Sequence, residues 1–154
     1  MCGIAGFNLQ DKSIIEEMAR TMRHRGPDDE GFYADGGVSL GHRRLSIIDT
    51  SEKGHQPMEF ENLVIVYNGE IYNFKQLREQ LKSKGYNFIS DSDTEVVLYS
   101  YHQWGPACVE KFNGMWAFCI YDKQKNTFFL SRDRFGIKPL YYYFDGSRFI
   151  FASS

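Results

Sequence analysis

The sequence predicts an α+β layered sandwich built on antiparallel sheets, and three observations carry that expectation. Strand-like and helix-like stretches come in blocks, without regular βαβ alternation. Strand pairs are separated by short turn signals, Asp35-Gly36-Gly37, Lys123 to Asn126 and Asp145-Gly146, as hairpins require. The run MWAFCIY is apolar on both faces, the pattern of a strand covered by a helix layer on one side and a second sheet on the other.

Taken in order, GIAGFNL reads as the first strand, after which Ile14, Ile15, Met18, Ala19 and Met22 share one helical face. HRGPDDEG ends that helix, because proline and glycine stop it and the acidic pair favours a turn. GFYADGGVSLGHRRLSIID is a hairpin, and DTSEKGHQPMEFEN a polar loop. LVIVY is a continuous apolar strand expected to stop at NGEIYN. Asn73 and Gln76 have capping-box spacing ahead of a helix that carries Phe74, Leu77 and Leu81 inward and ends at Lys84-Gly85. Ser92 and Glu95 form a second such box, placing Asp93 in the first turn of a helix whose inner face includes Val97, Leu98 and Tyr101. Two further hairpins complete the chain, which stops inside the strand pattern RFIFAS and so reads as cut from something longer.

A length of 154 residues suits one domain, 1–154, with a core of its own. With 42% hydrophobic and 25% charged residues and a net charge of -2, the composition is that of a soluble globular protein. The basic runs RHRGP and GHRRL are closely followed by acidic residues, so they make no phosphate-tracking stripe, and no nucleic-acid partner is expected. The longest apolar run falls far short of the roughly 20 residues of a membrane helix, and there is no signal-peptide pattern. Cys2, Cys108 and Cys119 include no close pair, so neither a disulfide framework nor a metal site is expected, and a reducing, cytoplasmic setting fits.

Cys2 poses the functional question. As a free cysteine early in a strand it has an ordinary reading as a small buried residue, the commoner one on position alone. If Met1 is removed, however, the thiol shares its residue with a free α-amine. Reference pKa values of about 8.5 and about 8 let a fraction of neutral amine take the thiol proton near pH 7, with a bridging water as relay. Nucleophile and base would then come in one residue. Attack on an amide also needs donors at the developing oxyanion. Asn68 offers a side-chain N–H and Gly69 a main-chain one, although Asn-Gly is also a common turn dipeptide. Arg44 could grip an α-carboxylate with its planar fork, and Asp93 could face an α-ammonium with Glu70 nearby. Each of these residues has a plain structural reading as well.

MCGIAGF, HRGPDDEG, GHRRLSIID, YNGEIYNFKQLR, SDTEVVL, NGMWAFCIYD and RDRFGIKPLYY together resemble, in order and over essentially the whole chain, the class II (N-terminal nucleophile) glutamine amidotransferase domain of glutamine-hydrolysing asparagine synthetases. The resemblance implies a four-layer αββα sandwich of two antiparallel sheets. It implies that Cys2 is the nucleophile and that Asn68 and Gly69 form the oxyanion hole. Arg44 would bind the α-carboxylate of L-glutamine, Asp93 and Glu70 would surround its α-amine, and main chain at Leu45 and Ile47 would line the pocket. No cofactor is implied within this domain. ATP and Mg²⁺ would belong to a C-terminal synthetase domain, the implied covalent partner, whose pyrophosphate loop is absent here; a homodimer is a further implied assembly. Ser154 stands where the resembling proteins carry glutamate, in FASE.

Two other readings were weighed. His24, His42, His55 and His102 invite a Cys–His protease with Cys108 or Cys119, but Cys119 lies within an apolar strand pattern and Cys108 in an expected helix, where burial makes thiols inert. RDRFGIKP, with Arg132, Arg134 and Lys138, could serve as an anion site but reads better as structural or as a contact with the synthetase domain. A non-catalytic domain with a blocked Cys2 amine, or an amidotransferase with an acceptor other than aspartate, remains the alternative.

Overall fold

In the computed structural model, residues 1–46 and 52–154 are described. Among the described residues, nine strands form two fully antiparallel sheets. The first contains β1 (Gly3–Phe7), β2 (Asp29–Asp35), β3 (Val38–Arg44), β8 (Tyr141–Phe144) and β9 (Phe149–Ala152), in the spatial order β2-β3-β1-β9-β8. The second contains β4 (Met58–Phe60), β5 (Leu63–Ile71), β6 (Gly114–Asp122) and β7 (Thr127–Arg132), in that order. The three helices are α1 (Lys12–Thr21), α2 (Phe74–Ser83) and α3 (Asp93–Trp104).

The two-residue period of the strands builds the layers. Ile4 of β1, Val38 and Leu40 of β3, Val64 and Val66 of β5, and Ala117, Cys119 and Tyr121 of β6 meet between the sheets. The alternate residues face outward. Ala5 and Phe7 pack with Ile15 and Met22 under α1. Leu63, Ile65, Trp116, Phe118 and Ile120 pack under α2 and α3 with Leu77, Leu81, Val97 and Leu98. The outcome is the expected αββα sandwich. Gly6 makes room for its cross-strand neighbours in the first sheet, since a Cβ would come within 2.5 Å of the Phe151 ring and 2.7 Å of the Leu40 side chain. The β2–β3 hairpin turns at Gly36 and Gly37 with φ of 61° and 80°, the positive pair a type I′ turn requires.

Five local expectations change. Ile14 is 45% exposed and not on the inner face of α1, because the buried stripe of that helix runs through Ile15, Ala19 and Met22. The stretch read wholly as loop contains β4, which adds to the β5 edge. LVIVY does not stop at NGEIYN: β5 runs on, with Asn68 opposite Ala117 and Gly69 opposite Trp116. Asn73 makes no capping bond. Its amide instead clasps the chain before β6, donating to Lys111 O at 2.9 Å and accepting from Asn113 N–H at 3.0 Å. Ser92 caps α3 through Thr94 N–H, but the Glu95 carboxylate does not close the box. It accepts instead from the N–H groups of Ile89 and Ser90 and from the Ser90 hydroxyl, fastening the loop ahead of the helix.

Candidate active site

Strand parity carries the predicted residues to one place. Cys2 immediately precedes β1 and falls on the Ile4 face; Arg44 ends β3 on the face of Leu40 and His42; Asn68 follows Val64 and Val66 along β5. All three therefore point into the space between the sheets, at its rim. A cavity of about 90 Å³ opens there, lined by Cys2, Arg44, Leu45, Asn68, Gly69, Glu70 and Asp93. Ile47 lies outside the described residues.

The nucleophile candidate is held by main chain. Leu45 N–H donates to Cys2 Sγ at 3.4 Å, and the thiol points back to Leu45 O at 3.7 Å. Burial pushes the thiol pKa up, while the Leu45 N–H, the terminal ammonium, Arg44 and Lys138 pull it back without overcoming burial. The other thiols are worse nucleophiles. Burial raises Cys108 to about 12 and puts Cys119 well above the ordinary range. None of the four histidines lines the cavity. His42 is buried, which pushes its pKa down to about 3, so the neutral ring donates from Nε2 to Tyr67 O at 3.1 Å. The Cys–His protease reading therefore has no support here.

The donors come from an unpaired edge of β5. Pairing with β4 stops at Ile65, so the alternate main-chain groups beyond it face no strand. Tyr67 N–H is met at 2.6 Å by Gln56 Oε1, and Ile71 N–H at 2.9 Å by Asp93 Oδ2. Gly69 N–H lies between them on the same edge and faces the cavity. Trp116, its cross-strand neighbour, bonds away toward Asp133, accepting from Asp133 N–H at 2.8 Å and donating to Asp133 Oδ2 at 3.3 Å. Glycine is required here by close approach: a Cβ would sit 2.4 Å from Met115 O. The turn that Asn-Gly pairs favour does not form, and the φ of Gly69 is not positive. Asn68 is 2% exposed, and its Nδ2 has no hydrogen-bond partner among the described residues. A buried amide N–H left in this state costs about 1–3 kcal/mol, which marks it as a donor awaiting an acceptor.

Asp93 reaches the cavity from the other layer. Its Oδ2 accepts from Tyr67 OH at 2.6 Å and from Ile71 N–H at 2.9 Å. Burial raises its pKa, and Glu70 adds to that, while the two hydrogen bonds oppose it. A carboxylate in this setting gains from a cation. Arg44, 6% exposed, supplies the opposite charge across the cavity.

Sequence reasoning missed Gln56, Tyr67, Met115 and Lys138, which also line the cavity. Gln56 lay in the supposed loop and carries no local signal; its amide ties that segment to β5 and α3 through Tyr67 and Thr94. Tyr67 looked like another strand aromatic. Lys138 was set aside with its neighbours, and for those the structural reading holds. Arg132 donates to Lys138 O and Gly136 O, and Arg134 to Phe112 O and Val109 O.

The chain thus combines an αββα sandwich with a cysteine just ahead of an inner strand and amide N–H groups at the sheet rim. The chain belongs to the family described as "Glutamine amidotransferase domain", whose model matches residues 1–154. It is 46% identical, over 99% of its length, to a Methanocaldococcus jannaschii protein classed with the glutamine-hydrolyzing asparagine synthetases, covering 34% of that protein. It is 41% identical, over 99% of its length, to asparagine synthetase (glutamine-hydrolyzing) 3 of Bacillus subtilis, covering 26% of it. The chain thus spans about a quarter to a third of these relatives. Its fold matches that of a glutamine phosphoribosylpyrophosphate amidotransferase from B. subtilis, with a TM-score of 0.80 at 22% identity, over 99% of this chain and 42% of that one.

Proposed function

We propose that this domain hydrolyses the side-chain amide of L-glutamine through Cys2 and serves as the ammonia-supplying part of an asparagine synthetase. The observation that carries the reading is the orphaned Asn68 Nδ2 beside Gly69 N–H in the cavity that holds Cys2 Sγ. Two donors lining the cavity that holds the thiol are what stabilisation of an oxyanion beside it requires. Arg44 and Asp93 supply opposite charges for the two ends of an α-amino acid.

With Met1 removed, the Cys2 amine accepts the thiol proton and sulfur adds to the amide carbon, making a tetrahedral oxyanion held by Asn68 and Gly69. The amine returns the proton to nitrogen, the C–N bond breaks, and ammonia leaves a γ-glutamyl thioester. Water, deprotonated by the same amine, adds to the thioester carbonyl, and the C–S bond breaks to give glutamate and the free thiol. Residue Met1 precedes Cys2 in the sequence, and while it remains the α-amine belongs to the wrong residue; that state is the non-catalytic alternative. Use of ammonia on aspartate, with ATP and Mg²⁺, would fall to a C-terminal synthetase domain outside this chain. The location read for the protein is the cytoplasm.

The test is covalent labelling with a glutamine-analogue electrophile, then intact-mass measurement and peptide mapping. A single label on Cys2 of the Met1-free protein, blocked by glutamine, is expected; a label elsewhere overturns the assignment. Cys2→Ala should abolish ATP-independent glutaminase activity, and Asn68→Ala should lower kcat by about 10² to 10³.

A further inference from the structure

Past Ile65, where pairing with β4 stops, the open edge of β5 is held by side chains. Continued beyond Met58, the register of β4 would set Gln56 opposite Tyr67. Gln56 does pair with Tyr67, but through its side chain: Oε1 accepts from Tyr67 N–H at 2.6 Å, and Nε2 donates to Tyr67 O at 3.2 Å. The carboxamide thus makes both bonds that an opposing strand residue would make. A second donor reaches the same carbonyl from the other sheet, His42 Nε2 of β3 at 3.1 Å. Both side chains are buried, and neither has a duty in the reaction described above. Gly31, cross-strand from His42, lets the two converge, since a Cβ there would collide with Gln56 O. The carbonyl they hold belongs to the planar peptide unit that ends at the Asn68 nitrogen, so its orientation sets the direction in which the Asn68 side chain leaves the strand. That side chain carries the buried Nδ2 without a partner among the described residues.

We propose that Gln56 and His42 are positioning residues of the oxyanion site: they clamp the Tyr67 peptide group from two sides and so aim the Asn68 amide at the developing oxyanion. The inference rests on the reading of Asn68 as an oxyanion donor in glutamine hydrolysis. Such a donor is effective when it is oriented before the reaction begins, and misplacement by about 1 Å can cost about 10²-fold in rate. An unpaired strand edge lacks the ladder that would fix it, and the two side chains replace that ladder. Gln56 Nε2 also donates to Thr94 Oγ1 at 3.2 Å, next to Asp93 in the first turn of α3. One amide therefore ties the oxyanion strand to the helix that carries the group assigned to the substrate ammonium.

The experiment is steady-state glutaminase kinetics of the Met1-free protein, run as a double-mutant cycle with Asn68→Ala. His42→Met leaves Gln56 on the carbonyl and should lower kcat about fivefold; Gln56→Met removes both of its bonds to Tyr67 and should lower kcat about thirtyfold. KM for glutamine should stay within about twofold of wild type in both, as expected when an interaction of the transition state alone is lost. His42→Gln, whose Nε2 can still donate, should restore kcat to within about twofold. In the Asn68→Ala background neither Met substitution should lower kcat by more than about twofold, because the donor they aim is gone; a merely structural role would cost as much there as in wild type. The γ-aldehyde analogue of glutamine reads the same geometry at equilibrium: the S–C bond forms, the C=O π bond breaks and the thiol proton passes to the carbonyl oxygen. Its affinity should fall in step with kcat. Equal losses in the two backgrounds, a wild-type kcat in the folded variants, or a rise in KM at unchanged kcat would overturn the proposal. A variant of either residue that fails to fold also counts against it, since that residue would then be structural. A wild type without glutaminase activity takes this inference down together with the glutaminase reading, whereas an active wild type with any of those outcomes takes down this one alone.

Discussion

Asp93 and Asp133 are equally shielded from solvent, at 4% and 5% exposure, but Asp93 lies deep in the molecule and Asp133 near its surface, and their protonation is pushed in opposite directions. At Asp133 burial works to raise the pKa, but the main-chain N–H groups of Lys138, Ile137, Trp116 and Phe135 outweigh it and hold the carboxyl below the ordinary range. Both of its oxygens are used, Oδ1 by Phe135 and Ile137 and Oδ2 by Trp116 and Lys138. At Asp93 the Oδ2 accepts from Tyr67 and Ile71 and the residue's own N–H adds to them, yet burial prevails. The difference separates an anchor from a binding group. A buried carboxylate satisfied by backbone on both oxygens stabilises the loop it closes, whereas one satisfied on one side holds unspent affinity for a cation, facing the cavity.

Asparagine at each position sharpens that contrast, because it keeps one acceptor oxygen and turns the other into a donor. Asp133→Asn should be the most damaging change: two of four N–H donors would face an NH₂ group, at about 1–3 kcal/mol for each buried donor left unmade. A loss of about 3 kcal/mol, read as a melting temperature lower by roughly 10 °C, is expected, and an unchanged melting temperature would break the comparison. Asp93→Asn should leave the fold intact, since one amide oxygen can still accept from both Tyr67 and Ile71. Its effect belongs to binding: KM for glutamine should rise about 100-fold, equivalent to the loss of about 2.7 kcal/mol of a charge-assisted contact. Tyr67→Phe follows, removing one of the two bonds that orient Asp93; a net loss of about 1 kcal/mol should raise KM roughly fivefold with kcat little changed.

The sheet layers were legible in the sequence because a two-residue alternation writes itself into every strand, and MWAFCIY shows both of its burials at once. The site was legible where chemistry and position coincide, at Cys2, Asn68 and Asp93. Gly69 was legible as a candidate main-chain donor, while the turn that an Asn-Gly pair signals locally does not form; pairing with β6 shows which backbone the glycine lets approach. Gln56 and Lys138 were illegible as site residues because each acts through a contact formed by tertiary packing, with Tyr67 in one case and with the Cys2 cavity in the other. Asn73 and Glu95 match capping spacings, yet their side chains find partners in neighbouring segments that no local pattern encodes.

The smallest expected effect tests the sign of the Asp93 displacement. A carboxyl whose folded pKa is raised binds its proton more readily in the folded state, so its contribution to stability is full below the unfolded pKa and is lost as pH rises through the folded pKa. Asp133, with a depressed folded pKa, behaves in reverse: its contribution is present above the unfolded pKa and is lost as pH falls through the folded one. Asp93→Asn removes only the first of these. The melting temperature of the variant should therefore stand above wild type once the pH exceeds the raised folded pKa of Asp93, where the wild-type carboxyl must ionise in its buried setting. The gap should close as the pH falls below the usual carboxylate range and Asp93 is protonated in both states. Added glutamine should close it from the other side at pH 7, by stabilising the wild type through the ammonium that Asp93 awaits and leaving the variant where it was. A gap that widened on acidification would mean that Asp93 is held ionised like Asp133, an anchor and not a binding group.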